Sequence, residues 1–87
     1  MTTQVNVSPN PFNSTLSFEV LVESQISAIV QIIDKKNKII KMMSWNLKKG
    51  TNTTSFDNLD PLPAGEYLID IKNIDGALIF DTKITKL

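Results

Sequence analysis

The sequence contains neither cysteine nor histidine. A disulfide framework, a thiol nucleophile and the usual cysteine or histidine zinc site are therefore excluded by inventory. Arginine is missing as well, so lysine supplies all nine positive charges, and nine carboxylates cancel them. The basic surface of a nucleic-acid binder is not there, and no nucleic-acid partner is expected. No apolar run approaches the roughly 18 residues of a membrane span. The opening Met-Thr-Thr-Gln also lacks both the basic and the apolar part of a secretory signal, so no membrane insertion is expected. Met1 set directly ahead of a strand reads as an added start codon, with residues 1–4 as leader or linker.

What is present is a period of two. In a chain of 87 residues, enough for one domain with one modest core, Leu16, Phe18 and Val20 alternate with Ser17, Glu19 and Leu21. The β-branched stretch Ile26 to Ile33 places Ala28, Val30 and Ile32 on one face. Asp34-Lys35-Lys36-Asn37 is a turn in which Asn37 can take positive φ, and Lys38 to Leu47 returns as the partner strand. Lys48-Lys49-Gly50 turns the chain into a fifth strand, Thr51 to Asp57. A loop rich in turn formers follows, anchored by Leu59 and Leu62. Glu66 to Lys72 directs Tyr67, Ile69 and Ile71 inward, Gly76 turns the chain, and Ala77 to Lys86 directs Leu78, Phe80 and Ile84 inward. Turn signals every eight to twelve residues and no helical period predict an all-β, immunoglobulin-like antiparallel β-sandwich of about seven strands, one domain over residues 1–87.

The stretch Val7 to Phe12, "VSPNPF", carries two prolines that fix φ, remove amide donors and push Ser8 and Asn10 out of the helical region. It fits a rigid corner at a sheet edge or at a crossing between two sheets. Val5 and Val7 form a short strand before it, and Phe12 enters the core after it.

The strand Ile39 to Leu47 alternates poorly, since Ile39, Met43, Trp45 and Leu47 share one parity while Ile40 and Met42 share the other. Two explanations are open: a β-bulge that switches register midway, or an apolar face kept for a partner, in which case Met43, Trp45 and Leu47 are the patch.

Candidate chemistry is thin. No Ser sits in a nucleophile elbow, and without histidine the bases left for a hydroxyl nucleophile are lysine and carboxylate. Asp57 and Asp60 are the only close acidic pair in a loop; Asx-turn roles are commoner there than calcium ligation. A lone Trp45 more often packs than stacks on a sugar. No catalytic residue, metal or cofactor is expected.

Taken in order, Pro9-Asn10-Pro11-Phe12-Asn13, Asp34 closing the third strand, Gly50-Thr51-Asn52-Thr53-Thr54, Leu59 and Leu62 ahead of Ala64-Gly65-Glu66-Tyr67, and the ending Thr82-Lys83-Ile84-Thr85-Lys86 resemble the C-terminal sorting domain of the type IX secretion system of Bacteroidetes. The resemblance spans nearly the whole chain; Asn37 replaces a glycine frequent in the family's hairpin. It implies a non-catalytic signal that follows an N-terminal cargo. The signal would be read by the secretion machinery, including the outer-membrane translocon, in transit through the periplasm. A sortase-like peptidase would remove it upstream of the corner, near or before Val5, leaving the cargo secreted or on the cell surface. Lys83, Ile84, Thr85, Lys86 and Leu87 are the expected recognition residues, with Lys83 and Lys86 on opposite faces of an open edge strand that ends in a free carboxylate. Pro9, Asn10, Pro11, Phe12, Gly65 and Tyr67 are the expected structural motif. An immunoglobulin-like binding or spacer module of a surface enzyme is the alternative.

Overall fold

A computed structural model describes residues 3–87. Seven strands run in chain order: β1 (Gln4–Ser8), β2 (Leu16–Val22), β3 (Ile26–Ile33), β4 (Ile39–Leu47), β5 (Gly50–Phe56), β6 (Gly65–Asn73) and β7 (Leu78–Lys86). They form a three-stranded sheet in the order β1-β2-β5 and a four-stranded sheet in the order β4-β3-β6-β7, every strand pair antiparallel. The expected sandwich is the observed one. Gln4 lies inside β1, paired with Leu21, so the leader expected over residues 1–4 has already become strand there; residues 1–2 lie outside the described residues.

The core follows from the alternation. Leu16, Phe18, Val20 and Val22 face Ala28, Val30, Ile32, Tyr67, Ile69, Ile71 and Ile84 across the sandwich, and Phe56, Leu59 and Phe12 close it. Phe18 and Phe56 meet edge to face with centroids 5.7 Å apart, a geometry favoured by the ring quadrupole.

Two bulges correct the expected parities. Ile32 pairs with Lys41 but Ile33 pairs with Ile39, so Ile40 is the extra residue in β4. The bulge reverses the parity: Ile39 points outward before it, while Ile40 in the bulge and Met43, Trp45 and Leu47 after it point inward. Leu47 is fully buried, and Met43 and Trp45 are half-buried against the core, so these three residues are not an exposed partner patch. A second irregularity between Ile71 and Lys72 leaves Ile79 as the extra residue in β7. Leu78, expected to face inward, is instead 54% exposed.

The two hairpins of the four-stranded sheet are built alike. Asp34 Oδ1 accepts from the Lys36 and Lys38 amides, and Asn73 Oδ1 accepts from the Asp75 and Ala77 amides. In both, the fourth residue takes positive φ, 68° at Asn37 and 90° at Gly76. Asparagine is the residue besides glycine that tolerates this region best, so the departure at Asn37 leaves the turn intact.

Candidate functional site

The structure brings the two ends of the described chain together. β1 is an edge of the three-stranded sheet, and the Pro9–Phe12 corner carries the chain from there to the outer edge of β7, at the edge of the four-stranded sheet. The Ser8–Pro9 and Asn10–Pro11 peptide bonds are both cis. At β7 the corner forms a short parallel bridge between Phe12 and Lys86. The Phe12 amide donates to the Thr85 carbonyl at 2.8 Å, and the Leu87 amide donates to the Phe12 carbonyl at 2.9 Å. The Thr85 amide donates to Asn10 Oδ1 at 3.1 Å. Proline has no amide to offer a ladder, and the side chain of the asparagine between the two prolines supplies the partner instead.

The other side of β7 is held by β6, where Gly65 pairs with Lys86 and Tyr67 pairs with Ile84. Gly65 has φ of 140°, a value side-chain-bearing residues rarely adopt. A Cβ there would meet only the Lys35 side chain, at 3.8 Å, so the demand for glycine is conformational rather than steric. Tyr67 is buried and meets Phe12 edge to face, centroids 6.3 Å apart. Its hydroxyl donates to the Pro63 carbonyl at 2.6 Å, tying the β5–β6 loop to the strand after it, as tyrosine corners do. The structural motif residues therefore form one contiguous unit around the end of β7.

That unit divides the expected recognition residues. Ile84 is buried, as expected. Lys86 does lie on the face opposite to Lys83, but it is only 5% exposed and its ammonium turns back to donate to the Leu87 carbonyl at 2.8 Å, so it is not offered to a partner. Lys83, Thr85 and Leu87 share the exposed face. The open edge expected along β7 is likewise corrected at its end, because the corner occupies the backbone groups of Thr85 and Leu87. The sequence signal that pointed to this junction was Phe12, an aromatic directly after two prolines. No pattern in the sequence assigned Asn10 to the Thr85 amide, 75 residues away.

Burial, with a contribution from the Asp34 carboxylate, raises the Tyr67 phenol above its ordinary pKa. In the unfolded chain the phenol loses its proton near pH ~10 while the folded chain keeps it, so the unfolded state binds fewer protons and stability falls as pH rises past that point. Tyr67→Phe should lower stability by about 1 kcal/mol at neutral pH through the lost bond to Pro63. It should also flatten the alkaline decline. Urea midpoints measured at neutral pH and above about pH 10 check both parts; parallel declines in the two proteins would contradict the assignment.

A shallow groove of about 170 Å³ runs beside this unit, lined by Asp34, Lys35, Glu66, Tyr67, Leu68 and Lys83. Among the described residues, no group of three or more metal-ligating side chains is gathered.

Compared with known families, residues 6–85 match the model described as secretion system C-terminal sorting domain. The matched segment takes in β1 from Asn6, the corner, β2 to β6 and β7 as far as Thr85. No curated protein matches the chain.

Proposed function

Because the chain belongs to the secretion system C-terminal sorting domain family, we propose that it is a single non-catalytic domain that directs an N-terminal cargo across the outer membrane through the type IX machinery of Bacteroidetes. The translocon reads it as a folded object during passage through the periplasm. A sortase-like peptidase then cuts ahead of the corner, and the cargo is secreted or stays at the cell surface.

One observation carries this reading: the corner and the last strand are bonded to each other at Phe12, Thr85 and Leu87. The end of β7 is thereby held in a fixed shape by the segment that directly follows the junction with the cargo, so an ordered terminus is presented only when the whole sandwich has closed. Lys83, Thr85 and Leu87, exposed on one face of that strand, are the residues offered. Ile84 and Lys86 keep the strand in place from the other face.

The test is a fusion of the chain to the C-terminus of an unrelated periplasmic protein, expressed in a host with a type IX apparatus. Export of the passenger is the expected result. A passenger that remains in the periplasm while the fused domain is folded would favour the binding or spacer module instead.

A further inference from the structure

The sandwich has four edge strands, β1 and β5 in the three-stranded sheet and β4 and β7 in the four-stranded one. A free edge offers its unpaired backbone groups to any other strand. Three of these edges are poor templates. β1 is five residues long and runs into Pro9. β5 is polar from Thr51 to Ser55, and the corner occupies the end of β7. β4 is different: it is nine residues long and contains Ile39, Ile40, Met42, Met43, Trp45 and Leu47, with no proline, no glycine and Lys41 as its one charge. Apart from that lysine, this is the composition of a segment that pairs with copies of itself.

Lys41 stands on the inner side of that strand. It pairs with Ile32, which is fully buried, and directly paired residues share a face. Its side chain therefore leaves β4 on the side of Met43, Trp45 and Leu47, which pack on the core, yet it is exposed because β4 is the outermost strand. Among the described residues the ion pair is that of Lys72 with Asp70, so no carboxylate accounts for a cation at position 41. The extra residue Ile40 lies directly beside it, and a bulge bends and twists its strand. Past the bulge, Lys41 to Leu47 run in unbroken register with Ile32 to Ile26. This is the part of the edge regular enough to take another strand, and Lys41 stands at its start.

We propose that Lys41 is an edge guard: its inward-facing charge, with the bulge beside it, keeps β4 from pairing with β4 of a second copy. The possible registers show why one residue suffices. Two such strands related by a two-fold axis pair antiparallel. Their inner faces stay on one side only when the parities match, because a slip of one residue sends the apolar set to the outer surface. With the axis at Met42, Met43 or Ser44, Lys41 falls opposite Met43, Trp45 or Leu47 of the other copy. Its ammonium is then carried into the joined apolar face without a partner, which is costly. An axis at Lys41 sets two lysines directly against each other, and an axis at Trp45 brings Lys41 toward Lys49, again like charges. Every parity-matched register centred on the regular part of the edge up to Trp45 therefore meets this one side chain.

The test is sedimentation at rising protein concentration, with a nitroxide attached through Ser44→Cys, the one thiol in a chain without cysteine, to report dipolar coupling between copies. Lys41→Val should self-associate at least about tenfold more tightly than the parent, with the labels on β4 coupled. Lys41→Thr, also uncharged and β-branched, should follow it, whereas Lys41→Arg should behave as the parent does. Position 41 is exposed, so all three variants should fold, which circular dichroism checks. Uncharged variants no more associated than the parent would overturn the proposal, as would equal association of Lys41→Arg. Coupling between labels attached through Ser17→Cys, on the other sheet, in place of those on β4 would do the same. So would loss of the fold in both uncharged variants, which would make Lys41 a support of its own sandwich, or a parent chain already paired through β4. These readouts do not involve secretion, so they stand or fall separately from the sorting reading.

Discussion

Replacing Phe12 with alanine is expected to lower stability by about 3–5 kcal/mol, the range for truncating a buried aromatic. A domain of this length has only ~4–13 kcal/mol in total, so the variant should be near the point of unfolding. Phe12 is fully buried and its ring packs on Tyr67. Its backbone also closes two of the three hydrogen bonds that fasten the corner to β7. Loss of the ring therefore opens a cavity at the site where the corner is docked. The measurement is a urea or guanidinium titration against the parent chain. An unchanged midpoint would mean that residues 9–12 form a linker lying on the sandwich rather than a part of it.

The second large effect is expected from removing Thr85 to Leu87. These residues include buried Lys86 and its pairing with Gly65, the pairing of Thr85 with Glu66, and all three bonds to the corner. Their removal leaves the Phe12 amide and carbonyl and the Asn10 side chain without their partners, at about 1 kcal/mol or more for each group that stays buried. Circular dichroism and denaturant melts of the shortened chain should show a loss of several kcal/mol or no cooperative transition. A shortened chain as stable as the parent would show that the end of β7 is a tail laid on the sandwich. The expected instability also means that retention of a cargo by the truncated form cannot separate loss of a signal from loss of a fold.

The sheets were legible because most strands have one buried face, which imposes a period of two. Leu16 to Val22 and Ile26 to Ile33 show this without interruption, and their buried sets are those the alternation gives. The turns were legible at Asn37, Gly65 and Gly76, where a residue suited to positive φ stands at the turn, whereas the positive φ of Asn58 inside a loop of many turn formers was not. Parity failed where a bulge inserted one residue. Ile40 in β4 and Ile79 in β7 have no compositional mark that distinguishes them from ladder residues, so the inward orientation of Leu47 and the outward one of Leu78 could not be assigned from spacing alone. The candidate site was half legible. Phe12, Ile84 and Tyr67 follow from hydrophobicity. The burial of Lys86 and the bond from the Thr85 amide to Asn10 are long-range contacts between the two ends of the chain, and local pattern contains no information on them.

In the proposed function, the machinery reads the exposed face of the last strand as a closed corner presents it. The measurement that addresses this most directly is export of the passenger fusion carrying Lys83→Gln, Thr85→Gln and Leu87→Gln together. All three side chains lie on the exposed face, and surface substitutions away from packing features usually shift stability by only about 0.5 kcal/mol each, so the variant domain should melt close to the parent. The account predicts a folded domain whose passenger accumulates in the periplasm. A folded variant that exports its passenger at the parent rate would contradict it and would place recognition on another face of the sandwich.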